Sequence, residues 1–127
     1  MRLDEKAKEN LEAVERLVST GAGDVLPLCN AAASRAYYAA YLAVADRAQQ
    51  EGRRFDSTQS EYYRHDTLPE NAKRWTILDA DLRDDLSWLR DLRVKADYWE
   101  DQVSYEEASE AASVAERFVA LLEEGTP

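Results

Sequence analysis

Hydrophobic residues recur every three or four positions along most of the chain, which is the spacing of an amphipathic α-helix. Charged residues fill the positions between them. The first such stripe predicts a helix whose inward residues are Leu3, Ala7, Leu11, Val14 and Leu17 or Val18. Glycines then end this helix at Gly21-Ala22-Gly23.

A second predicted helix runs from about Val25 to Gln50, with Asp24 as its N-cap and Pro27 in its first turn. Between Val25 and Ala45 its only charged residue is Arg35. A helix that is apolar on nearly every face must be surrounded by protein. Four helices rarely enclose one of their own members, so we expect a homodimer that forms through this second helix.

Residues 52–66 form the least regular stretch, and we expect a long polar arm there. Its Arg53, Arg54 and Arg64 give it local positive character. Thr67 and Glu70 have the spacing of a capping box and predict a short third helix from about Leu68 to Leu78.

Two further helices follow. Asp79 and Asp81 favour the start of a fourth helix that continues to about Trp99. Its inward stripe consists of Leu82, Leu86, Leu89, Arg93 and Ala96. Ser104 and Glu107 form a second capping box, which opens a fifth helix that ends at Gly125. Its predicted inward residues are Tyr105, Ala108, Ala112, Ala115, Val119 and Leu122.

These elements predict one all-α domain over residues 1–127, an antiparallel up-and-down bundle of four to five helices. Composition agrees, because four Gly and three Pro are too few for a fold rich in strands and turns. The longest uncharged apolar run, from Ala36 to Ala45, is about half of what a membrane span requires. Met1 to Lys6 lead straight into a charged helix, so we expect no targeting segment and no membrane association.

The chain carries 16 Lys and Arg against 26 Asp and Glu, a net charge of −10, which disfavours nucleic acid as a partner. The charge is uneven, since residues 79–124 contain 14 acidic and 5 basic groups and residues 52–78 contain 4 and 5. An anionic partner should therefore be sought first at the arm. The single Cys29 excludes an internal disulfide and indicates a reducing compartment, so we expect a cytoplasmic protein.

Few residues suggest chemistry. His65 is the only histidine, so we expect no metal site and no cofactor. Arg93 lies on the apolar stripe of the fourth helix, where an ionised guanidinium needs partners. Asp97, one turn further on, is the nearest, and Tyr hydroxyls or Ser34 of the second helix are others. Alternatively, Arg90, Arg93 and Lys95 could hold a phosphate or a carboxylate.

Two motifs stand out, Ala33-Ser34-Arg35-Ala36-Tyr37-Tyr38-Ala39-Ala40-Tyr41 in the second helix and Leu92-Arg93-Val94-Lys95-Ala96-Asp97-Tyr98 in the fourth. Together they resemble the motifs of the HEPN domain. The resemblance implies a helical bundle, commonly dimeric, in small prokaryotic proteins encoded beside a nucleotidyltransferase in toxin–antitoxin or stress systems. Many such proteins are metal-independent ribonucleases that use an Arg followed by a His in a late helix. Here no His occurs from Lys95 to Asp101.

We therefore interpret the chain as a non-catalytic binding module that acts with a nucleotidyltransferase or another partner protein. The residues that match the family motifs hold the second and fourth helices in register: Ser34, Arg35, Tyr38, Arg93, Asp97 and Tyr98. One alternative is a ribonuclease toxin using Arg90, Arg93 and His65, which requires His65 to fold over from the arm. Another is nucleotide binding between these helices, with Arg35 or Arg93 on the phosphate and a Tyr on the base.

Overall fold

A computed structural model describes residues 3–19, 26–53, 63, 65–98 and 103–124 of the chain. Within these ranges there are five helices and no strand, so the predicted all-α bundle is confirmed. The helices are α1 (Leu3–Ser19), α2 (Leu26–Gln50), α3 (Leu68–Arg74), α4 (Ala80–Tyr98) and α5 (Tyr105–Glu124). None of the helices described is both long and apolar enough to cross a membrane.

The central element is α2, against which α1, α4 and α5 all pack. Small residues such as Ala33, Ala36 and Ala40 are fully buried along it, and they allow the neighbouring helices to approach closely. One chain thus covers most of the apolar surface of α2. The premise that a bundle of this size rarely encloses one of its own helices is wrong here, and the homodimer stays a prediction without that support.

The start of α5 is the capping box that the sequence predicts. The hydroxyl of Ser104 accepts the backbone N–H of Glu107 at 3.0 Å, and the carboxylate of Glu107 accepts the N–H of Ser104 at 3.0 Å. That backbone bond, together with the nearby Lys95, holds the pKa of Glu107 below its usual value. At the start of α4, Asp79 accepts the N–H of Leu82 at 2.8 Å.

The predicted capping box of α3 is wrong. Thr67 makes no side-chain cap bond, because its backbone is already helical, with φ −105° and ψ −17°. The helix also ends at Arg74 rather than near Leu78. Two bonds close it, from Thr76 N–H to the Lys73 carbonyl at 3.0 Å and from Ile77 N–H to the Ala72 carbonyl at 2.9 Å. This is a Schellman motif with Thr76 in its left-handed position, at φ 62°.

Two inward stripes also need correction. Tyr105, expected in the core, is 43% exposed at the start of α5. On α4, Leu92 is buried although the predicted stripe omits it. Several predicted features lie outside the described residues: the glycine stop at 21–23, the cap at Asp24, Arg54 and Arg64 with most of the arm, Trp99, and the stop at Gly125.

Candidate functional site

Arg93 is the centre of a polar cluster between α2 and α4. Its Nη2 donates to the hydroxyl of Tyr38 at 2.9 Å, and its Nε lies 3.1 Å from Oδ2 of Asp97. The second contact is an ion pair without hydrogen-bond geometry, because Nε has no aligned acceptor. The guanidinium also lies over two rings, 5.4 Å from the centroid of Tyr38 and 5.6 Å from that of Tyr98. The Arg93 side chain is 20% exposed.

Asp97 links the two helices. One of its oxygens pairs with Arg93, and the other accepts the hydroxyl of Ser34 on α2 at 2.7 Å. We call Ser34, Tyr38, Arg93, Asp97 and Tyr98 the Arg93 cluster. Burial acts to lower the pKa of Arg93, but Tyr38, Tyr98 and Asp97 outweigh it and raise that pKa, so the guanidinium stays charged.

His65 packs on the same side of α2, next to the Arg93 cluster. Its ring stacks on Tyr41 with centroids 4.2 Å apart and 28° between the planes, and it meets Tyr38 edge-on at 6.1 Å. Its Nδ1 is hydrogen-bonded to the hydroxyl of Tyr37. The ring of Tyr38 therefore lies between His65 and Arg93. The chain does bring His65 back from the arm onto α2.

The protonation state of His65 follows from its surroundings. Burial lowers its pKa below 6.5, the positive charges of Arg93 and Arg90 lower it further, and Asp66 opposes them. Burial also raises the pKa of Tyr37, so this phenol stays protonated. A buried hydroxyl proton without an acceptor is costly, so we assign Tyr37 as the donor and Nδ1 as the acceptor. The remaining proton of the neutral ring then lies on Nε2.

A second link from the arm to α2 runs through Tyr63. The hydroxyl of Tyr41 donates to the Tyr63 carbonyl at 2.6 Å, and the hydroxyl of Tyr63 donates to the Arg53 carbonyl at 2.8 Å. Tyr63 is 2% exposed and its ring meets Trp75 edge-on at 6.0 Å. One aromatic residue of the predicted polar arm is therefore part of the core. An aromatic residue in a polar stretch was the available signal.

The other predicted cations do not join the Arg93 cluster. Arg35 lies on the exposed side of α2 and donates to Asn10 of α1 at 3.3 Å. Lys95 pairs with Glu107 at 3.2 Å. Arg90 is half-buried and makes no hydrogen bond or ion pair with any residue that the structure describes, although its charge reaches His65. Lys95 is thus engaged on α5, whereas the charges of Arg90 and Arg93 both act on His65 and Tyr37.

Chemically, the Arg93 cluster can hold two helices together, and it offers little else. Arg93, one of the two arginines that could take a phosphate in the nucleotide-binding alternative, donates to the hydroxyl of Tyr38. Within the described ranges, no group of three or more His, Cys, Asp or Glu is placed to bind a metal ion.

The bundle is therefore one in which a polar cluster joins a central helix to a late helix. The family model of the HEPN domain matches residues 1–125, nearly the whole chain. The chain belongs to the HEPN domain family. A search of curated proteins finds no match to it.

Proposed function

We propose that the protein is a non-catalytic HEPN module that acts by binding a partner protein. The observation that supports this proposal is that Arg93 and His65, two of the three groups named for a ribonuclease, both contact other residues of the chain. The third, Arg90, bonds to no described residue. Arg93 contacts Tyr38, Asp97 and Tyr98, and the Nδ1 of His65 is bonded to Tyr37. A general acid or base must reach the substrate's proton, and these contacts direct both groups towards the protein itself.

The charge of the protein also favours a protein partner over RNA. The net charge of −10 disfavours RNA, and the acidic residues are concentrated in the segment that contains Arg93. The family resemblance points to a nucleotidyltransferase as the partner, and a homodimer as the form that binds it. Sedimentation at micromolar concentration, alone and with a nucleotidyltransferase encoded nearby, tests both expectations. A protein that sediments as a monomer and does not bind the transferase would contradict them.

One observation favours ribonuclease activity as a second candidate. Tyr38 touches both His65 and Arg93, so an imidazole and a guanidinium do lie in one region of the surface. The low pKa of His65 would keep its ring neutral, and Nδ1 would act as a general base only where a substrate displaces the hydroxyl of Tyr37. An Arg and a His can therefore lie close together without the Arg and His motif that family ribonucleases carry in a late helix.

An RNA cleavage assay separates the two functions. The purified protein is incubated with a labelled single-stranded RNA, beside the variants Arg93→Met, His65→Asn and Arg35→Met. We expect no cleavage above the level of a buffer control. Cleavage that Arg93→Met and His65→Asn both abolish, and that the matched exposed variant Arg35→Met retains, would overturn the non-catalytic proposal.

A further inference from the structure

A groove runs between α1 and α5, away from the Arg93 cluster. Its volume is about 410 Å³, and Val18, Tyr105 and Ala112 contribute apolar surface to its lining. Both helices pack more extensively on α2 than on each other, which leaves this space between their outward faces. Tyr105, Ala112 and Glu116 fall on one face of α5 because they are spaced by seven and four residues.

The apolar lining of the groove is unusually accessible. Tyr105 is one of three large hydrophobic residues with high exposure among those described, and its hydroxyl bonds to no described residue. Val18 and Ala112 are only partly buried, although both pack against the core. An exposed aromatic ring in a concave, partly polar lining offers a contact for another chain.

The rims of the groove carry negative charge. Glu15 of α1 and Glu116 of α5 line it from opposite sides, and both are exposed. Neither forms an ion pair with a residue that the structure describes, and the lining contains no cation. The sequence of α5 reinforces this charge, with five further Glu and one Arg. The only Arg, Arg117, is already 3.3 Å from Asp85.

We propose that this groove binds a basic amphipathic segment of a partner protein. Apolar side chains of the segment would cover Tyr105, Val18 and Ala112. Its Lys or Arg residues would reach Glu15 on one side and Glu116 on the other. A helix laid along a groove presents both kinds of residue at spacings of three and four, so it suits a lining that offers one Glu from each helix together with Tyr105, Val18 and Ala112.

The inference rests on the proposed function, because a module that acts by protein contacts needs a docking surface. It also assigns that surface to a different part of the bundle from the family motifs. In this arrangement the Arg93 cluster stabilises α4 on α2, and the α1–α5 groove receives the partner.

The probe is a synthetic amphipathic helix built from Leu and Lys at helical spacing, labelled for fluorescence anisotropy. The test variant is Glu15→Gln with Glu116→Gln. Its matched control is Glu9→Gln with Glu110→Gln, which removes two exposed carboxylates from the same helices outside the groove lining. Both variants change the net charge equally.

We expect the groove variant to weaken binding about tenfold, from two lost charge contacts, and the control to weaken it less than about twofold. Tyr105→Ser should also weaken binding, since the lining would lose its largest apolar group. Equal losses in both double variants would show that only the net charge attracts the peptide, and would overturn the proposal. So would a Tyr105→Ser variant that binds like the unchanged protein.

Failure here is distinguishable from failure of the proposed function. If the peptide does not bind the groove and the protein cleaves no RNA, only the assignment of the groove as the docking surface is wrong. Cleavage of RNA that depends on Arg93 and His65 removes the non-catalytic proposal whatever the peptide does.

Discussion

Replacing Arg93 with Met should destabilise the bundle, because it removes the guanidinium while keeping most of the apolar stem. The change deletes a charged hydrogen bond to Tyr38, an ion pair with Asp97 and two ring contacts. A charged hydrogen bond contributes about 1.5 kcal/mol or more, and each partly exposed ring contact about 0.5 kcal/mol. The variant also no longer pays the cost of desolvating the guanidinium on folding, which offsets part of the loss. We expect a decrease of about 2 kcal/mol in the free energy of unfolding.

A double-mutant cycle isolates the bond between the helices. Tyr38→Phe removes only the hydroxyl that accepts from Arg93, so it should cost about 1 kcal/mol. In the Arg93→Met background the same change should cost much less, because the hydroxyl has already lost its partner there. The expected coupling is therefore about 1 kcal/mol.

Urea denaturation followed by circular dichroism measures these free energies, with Arg35→Met as the matched control. Arg35 is exposed and makes one long bond to Asn10, so its removal should cost less than about 0.5 kcal/mol. If Arg93→Met costs no more than Arg35→Met, and the coupling with Tyr38 is zero, the Arg93 cluster does not hold α4 on α2 and the reasoning is refuted.

Three further predictions concern local features. Folding lowers the pKa of His65, so the unfolded chain binds a proton more readily than the folded protein does. The free energy of unfolding should therefore fall as the pH drops below about 6.5. In urea titrations, His65→Asn should make this pH dependence flatter. Ser104→Ala should cost about 1 kcal/mol through loss of the α5 cap, whereas Ser113→Ala, at an exposed position with no bond, should change the unfolding midpoint little. Thr76→Gly should raise the melting temperature, because a β-branched residue is strained at φ 62°. An unchanged or lower melting temperature would contradict that strain.

Much of the bundle could be predicted because periodicity and capping are local signals. The Ser104 cap depends on residues three apart, and the structure has both of its bonds. The segment from Thr67 to Glu70 fits the same capping-box pattern and forms no cap, because the backbone of Thr67 is already helical. Which of two segments that fit this pattern forms a cap is decided by the path of the chain, which a local pattern does not contain.

In the candidate site, too, contacts between residues close in sequence could be predicted, and contacts between distant residues could not. The pairing of Arg93 with Asp97 is one helical turn apart and could be predicted from their spacing. The position of His65 against Tyr37 and Tyr41 joins residues more than twenty positions apart through the arm, so no spacing rule indicates it. Burial of Tyr63 is outside such rules too, because burial of an aromatic residue in a polar stretch depends on tertiary packing.

His65 gives the most direct test of the central claim, which is that the Arg93 cluster and the neighbouring His65 stabilise the fold and do not bind RNA. It is the only His in the chain, so its ring nitrogens are identified in an ¹⁵N NMR spectrum without further assignment. We predict a neutral ring with its proton on Nε2 and a pKa below 6.5, unchanged when single-stranded RNA is added. A shift of either ring nitrogen or of the pKa on adding RNA would place RNA at the cluster and contradict the account.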